Sequence, residues 1–180
     1  MKSKVLVAGA SGLVGVAAVE SFLAAGWDVI GISRRKPELP SGQDFRFIPV
    51  DLRDEKAASQ ALSPLADVTH VAYAAIYENA RDLVGGWSNA AQIEINDAML
   101  RNVIEPLLSG KAALKHVSIL QGTKAYGVHL HPIAIPARES AEKGSRVAGL
   151  VRNQSRSTES SPVSAAMVNC MERDVARAPV

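Results

Sequence analysis

Three glycines at three-residue spacing, Gly9, Gly12 and Gly15, close an apolar run, VLVAGASGLVG at residues 5–15. The residues before them, 2–8, read as a buried parallel strand. Those after them, LVGVAAVESFLAA at 13–25, carry apolar side chains at helical spacing until Gly26 ends the pattern. A strand that turns this tightly into a helix is the join on which a dinucleotide sits. Gly9 and Gly12 let the backbone come close to a pyrophosphate, and Gly15 lets the helix pack against the sheet. Backbone N–H groups of the turn, with Ser11, Leu13 and Val14 among them, then face the phosphates at the positive helix end. The plain alternative is a structural turn without ligand.

The rest of the chain repeats the alternation. Strands are expected at 28–33 (DVIGIS), 45–50 (FRFIPV), 68–75 (VTHVAYAA) and 114–120 (LKHVSIL). Asp54 caps a helix expected to run to about Leu65, and an amphipathic helix is expected over 90–108, with Ile93, Asn96, Leu100, Val103 and Leu107 near one face. Pro37, Pro40 and Gly42 supply the turn between the second and third strands. This order predicts an α/β fold with a doubly wound parallel sheet, the NAD(P)-binding Rossmann architecture, over residues 1–140. Residues 141–180 change character: they hold six serines and no aromatic residue, and are expected to form a tail, either flexible or partly docked.

Composition narrows the partners. At 180 residues with 47% hydrophobic content the chain suffices for one domain with a sizeable core. The net charge of +2 is spread rather than gathered into a basic stripe, so nucleic acid is not an expected partner. No apolar run approaches the roughly 18 residues of a membrane span, and the first residues read as a strand rather than a secretory signal. One cysteine, Cys170, excludes an internal disulfide framework and suits a reducing compartment. A cytoplasmic protein without a membrane contact is the expectation.

Several residues at the expected carboxyl edge carry chemistry. The second strand ends in Ser33, Arg34 and Arg35, where an NAD-selective site would place an acid roughly 20 residues past the glycines. Guanidinium groups there bind the 2′-phosphate of NADP with paired charge-assisted hydrogen bonds, so NADP is the expected cofactor; a solvated basic turn is the alternative. Asp51 and Leu52 close the third strand, where a carboxylate suits the adenine amino group. Ala74 and Ala75 end the fourth strand and leave room beside the pyrophosphate path. Gln121, Gly122, Thr123, Lys124 and Tyr126 follow the fifth strand, where the nicotinamide would lie. Lys124 is the catalytic candidate, because its charge favours a developing oxyanion. Tyr126 and Lys124 do not form the Tyr-x-x-x-Lys pair of most short-chain dehydrogenases. His129 and His131 lack a third ligand nearby, so no metal is expected, and His70 and His116 fall within strands.

GASGLVG, the SRR triplet, THVAYAA, NDAMLRNVIEPL and LKHVSILQGTKAYGVHLHPIAIPARES together resemble one group of the NAD-dependent epimerase/dehydratase superfamily. It is the progesterone 5-beta-reductase and iridoid synthase group of atypical extended short-chain dehydrogenases, and the likeness covers about residues 3–140. The resemblance implies NADPH-dependent reduction of the carbon-carbon double bond of a small activated enone. Hydride goes to the β-carbon while a lysine and a tyrosine assist the enolate oxygen, and Lys124 falls on the family lysine. The family tyrosine lies further along, in an aromatic Phe-Tyr-Tyr segment, and here no tyrosine follows Tyr126. The chain therefore looks truncated after about residue 140. That leaves three readings: a reductase, an NADP-binding module without turnover, and, last, a nucleotide-sugar epimerase or dehydratase. A sheet that stops at its fifth strand is also expected to self-associate through the open edge, as a homo-oligomer.

Overall fold

The chain runs β1 (Lys4–Ala8), α1 (Leu13–Ala24), β2 (Asp28–Ser33), β3 (Arg46–Pro49), α2 (Glu55–Leu62), β4 (His70–Tyr73), α3 (Ala90–Ser109) and β5 (His116–Ile119). This is a computed structural model, and it describes residues 3–79, 89–120, 132 and 135. The strands form one sheet in the order β3-β2-β1-β4-β5, every pair parallel. The chain winds from β1 outward through β2 and β3, then returns to the other side of β1 with β4 and β5. The reversal lies between β1 and β4, and in such sheets it opens a crevice at the carboxyl ends of the strands.

Register lines those ends up. Ala8 pairs with both Ile32 and Tyr73, Ile32 with Ile48, and Tyr73 with Ile119. The residues that follow, Gly9, Ser33, Pro49, Ala74 and Leu120, therefore emerge along one edge. Alternation along β1 fills both faces. Leu6 and Ala8 join Ile30, Ile32, Val71, Tyr73 and Val117 beneath α2 and α3, where Leu62, Val103 and Leu107 complete the layer. Val5 and Val7 join Val19, Val29 and Phe45 beneath α1. Each large apolar side chain so buried contributes about 1.5–3 kcal/mol.

The elements agree with the sequence reading, and their shorter bounds have local causes. Helix α2 stops at Leu62 rather than Leu65 because Pro64, one residue past the helical cap Ser63, has no N–H with which to continue the ladder. Strand β3 stops at Pro49, which lacks an N–H and suits an edge strand; Val50 adds one more bond to the Ser33 carbonyl. On α3 the buried face runs through Met99, Leu100, Val103, Ile104 and Leu107, whereas Ile93 and Asn96 are half-buried. Among the described residues β5 pairs with β4 alone. No helix among them is long and apolar enough to cross a membrane.

Candidate functional site

The glycine turn is built from two glycines that the fold requires and one that it does not. At Gly9 the backbone turns with φ of 83°, and the N–H groups of Gly9 and Ala10 both donate to the Ile32 carbonyl, at 2.9 and 3.1 Å. A Cβ at Gly9 would lie 2.7 Å from the Cα and N of Ala75, so this turn and the end of β4 touch backbone to backbone. A Cβ at Gly15 would lie 2.0 Å from the Gly9 carbonyl oxygen. The close approach at Gly15 is thus between the first turn of α1 and the loop itself, and not, as expected, between the helix and the sheet.

Gly12 has neither constraint. Its φ of −80° and ψ of 164° suit any residue, and among the described residues a Cβ there would meet nothing nearer than the Gly9 carbonyl oxygen at 3.4 Å. Gly12 is also the N-cap of α1 and offers no side chain to the helix, whereas Asp54 caps α2 and Asn89 caps α3 through their carboxylate and carboxamide oxygens. The first N–H groups of a helix have no partner within it. At α1 they stand among exposed residues, Ser11, Gly12, Leu13 and Val14. Leu13 is 92% exposed, and Ile76 and Leu120, past the ends of β4 and β5, are 65% and 60% exposed. The carboxyl edge therefore shows both unpaired donors and apolar surface, the two things a nucleotide ligand uses.

At the end of β2, Ser33 is buried and its hydroxyl donates to the Arg35 carbonyl at 2.7 Å. Ser33 thereby shapes the turn that presents Arg34 and Arg35, both exposed. Past β3, the Asp51 carboxylate is already occupied. Arg53 donates to it through Nη2 at 2.6 Å and Nε at 3.0 and 3.2 Å, and its backbone N–H adds a bond at 3.0 Å. Those bonds, opposed by partial burial and helped last by the charge of Arg34, hold the Asp51 carboxyl at about 2. The Leu52 carbonyl accepts from Asn102 Nδ2 at 2.8 Å, so its backbone oxygen is engaged as well. Past β4, Ala74 extends the ladder by donating to the Ala8 carbonyl, and Ala75 backs Gly9.

The segment after β4 is tied down by α3. Tyr77 N–H donates to Asn96 Oδ1 at 2.8 Å, Asn96 Nδ2 returns a bond to the Tyr77 carbonyl at 2.9 Å, and Asn79 N–H donates to Gln92 Oε1 at 3.0 Å. The Tyr77 ring in turn lies 5.7 Å from the Arg53 guanidinium carbon. Arg53, Tyr77, Asn96 and Asn102 were not among the candidates from sequence. Two of them had a visible signal: an asparagine on the inner face of an amphipathic helix needs a hydrogen-bond partner, here a backbone carbonyl or amide of the sheet edge. A cavity of about 780 Å³ opens beside Arg53, Asp54 and Lys56, and a groove of about 400 Å³ lies by Trp27, Phe45 and Arg46; the glycine turn lines neither. Gln121, Gly122, Thr123, Lys124, Tyr126, His129, His131, Cys170 and the expected tail lie outside the described residues.

The family model for the NAD dependent epimerase/dehydratase family matches residues 5–148. The chain belongs to that family. Within it, the chain is 33% identical over 135 residues to a 3-oxo-Delta(4,5)-steroid 5-beta-reductase of Arabidopsis thaliana, a match covering 69% of this chain and 32% of that protein. It is 28% identical over 131 residues to an (S)-8-oxocitronellyl enol synthase of Catharanthus roseus, covering 69% and 31%. The matched region thus spans about a third of the length of these curated relatives. The family's Rossmann fold is evident in structure too. The UDP-glucose 4-epimerase of Bifidobacterium longum, solved in complex with NAD+ and UDP, superposes with a TM-score of 0.68 at 16% identity, over 86% of this chain and 50% of that one. The glycine turn of this family chain lies at the carboxyl edge of its Rossmann sheet.

Proposed function

We propose that the chain binds NADP(H) across the carboxyl edge of its sheet and that its parent activity is reduction of the double bond of a small activated enone. The observation that carries the reading is Gly12: an exposed glycine that no neighbouring atom and no backbone angle requires, at a helix start with no side-chain cap. Leaving that position without a Cβ lets something outside the chain come close to its backbone. The residues present fit a dinucleotide. Ser11, Gly12, Leu13 and Val14 would hold the pyrophosphate with Gly9 and Gly15 setting the turn, and Arg34 and Arg35 would hold the 2′-phosphate. Asp51 and Leu52 lie at the adenine end, and Ala74 and Ala75 keep the crevice clear beside Gly9. From the resemblance, Gln121 and Gly122 would flank the nicotinamide and Lys124 would stabilise charge on the substrate oxygen. The cofactor, when bound, supplies the hydride.

A second reading has its own support, since no tyrosine follows Tyr126 and the family's reductases pair their lysine with one. On that reading the chain is a cofactor-binding module without turnover. Titration with NADPH and NADH, followed by an enone assay, tests both. Saturable binding that prefers NADPH, and that Arg34→Ala with Arg35→Ala reduces far more for NADPH than for NADH, supports the cofactor assignment; equal losses refute it. Enone-dependent NADPH oxidation above that of Lys124→Ala supports the reductase, and its absence leaves the binding module.

A further inference from the structure

We infer that Arg53 is a positioning residue for cofactor choice, holding the Asp51 carboxylate so that Arg34 stays free for the 2′-phosphate. This rests on the NADP reading above and adds a residue to it. Asp51 stands where a carboxylate would do harm: β2 and β3 run parallel in register and Val50 donates to the Ser33 carbonyl, so Arg34 and Asp51 leave neighbouring strands at the edge where an additional phosphate would arrive. An unpaired carboxylate there would either draw Arg34 onto itself or repel the phosphate. In the structure that carboxylate is paired, and not with Arg34. Asp51 takes Arg53 as its partner, two residues along, through a fork in which Nε and Nη2 reach both of its oxygens. Arg34 makes no ion pair with any described residue and is exposed. The Arg53 guanidinium also lies over the Tyr77 ring, at 5.7 Å from its centre, and Tyr77 is fixed through its backbone to Asn96. A paired Asp51 has little charge left to offer at the distance of a phosphate, because the opposite charges largely cancel.

The ratio of NADH to NADPH dissociation constants reads this directly, measured by nucleotide fluorescence on the full chain. Arg53→Ala should lower that ratio on the order of tenfold, by weakening NADPH while leaving NADH nearly unchanged. Arg53→Lys, which keeps a cation within reach of Asp51, should retain most of the preference. Asp51→Asn added to Arg53→Ala should restore the ratio, whatever adenine affinity both cofactors lose together. An unaltered ratio in Arg53→Ala, or no recovery in the double variant, overturns the inference while wild-type preference for NADPH stands. A wild-type chain that binds neither cofactor, or prefers NADH, instead brings down the NADP reading itself. Thermal melts of each variant identify a folding loss, and since Arg53 is exposed and Arg53→Lys preserves the pair, a folded variant is available for the comparison.

Discussion

Asn96 and Tyr77 face each other as a two-bond clamp, the carboxamide of one accepting from and donating to the backbone of the other at 2.8 and 2.9 Å. The clamp fastens the segment leaving β4 to α3, and so fixes one wall of the crevice. Asn96→Ala leaves a half-buried N–H and C=O without partners, at about 1–3 kcal/mol in stability. Urea denaturation should show that loss, and hydrogen exchange at the Tyr77 amide should quicken more than at β1. Asn96→Asp should recover only the bond that Oδ1 accepts.

Gly12 and Gly15 should separate function from folding. Gly12→Ala has allowed backbone angles and open space, so it should cost only the roughly 0.5–1 kcal/mol of alanine at an N-cap, while NADPH binding falls because a methyl group intrudes on the phosphate path. Gly15→Ala places a methyl group 2.0 Å from the Gly9 carbonyl and must push α1 off its turn. A loss of about 3 kcal/mol or more is expected. Circular-dichroism melts beside the NADPH titration distinguish the two.

Tyr73 is 7% exposed and its hydroxyl has no hydrogen-bond partner among the described residues; burial raises its ionisation far above the ordinary phenol range. Such an orphan destabilises the fold. Tyr73→Phe should be neutral or stabilising by up to about 1–2 kcal/mol in urea melts, and a clear destabilisation would mean that the hydroxyl is satisfied in solution.

His70 carries a pH dependence. Burial, then the neighbouring charges of His116 and Lys115, lower its ionisation below the ordinary 6.5, and its Nδ1 lies 2.8 Å from Thr69 Oγ1. The folded state therefore resists a proton that the unfolded chain accepts. Its contribution is present above about pH 6.5 and is lost as pH falls through the lower folded value. Urea midpoints taken from pH 8 to pH 5 should decline, and His70→Gln should flatten the part of that decline belonging to this group.

The fold was legible because its signals are local. The apolar runs of β1 and β2, the cap at Asp54 and the glycine spacing each act within a few residues, and the strand-helix alternation leaves a parallel sheet as the natural arrangement. Of the candidate site, the placement of residues along the edge was legible. Gly9, Ser33, Arg34, Arg35, Asp51 and Ala75 stand along one edge, as their positions after successive strands imply. What escaped were relationships across the fold: Asn102 on the Leu52 carbonyl, Asn96 on Tyr77, and the preference of Asp51 for Arg53.

The sequence by itself determined that a parallel sheet would carry a glycine turn and a pair of arginines to one edge, because side-chain periodicity and backbone freedom are properties of short segments. Only the tertiary structure decided which glycine serves the fold and which stands free of it, and which cation Asp51 takes. Those outcomes depend on where the Gly9 carbonyl, the Ala75 backbone and the Tyr77 ring come to rest. Contacts among β1, α1, β3 and β4 are set by packing, and no single segment contains them.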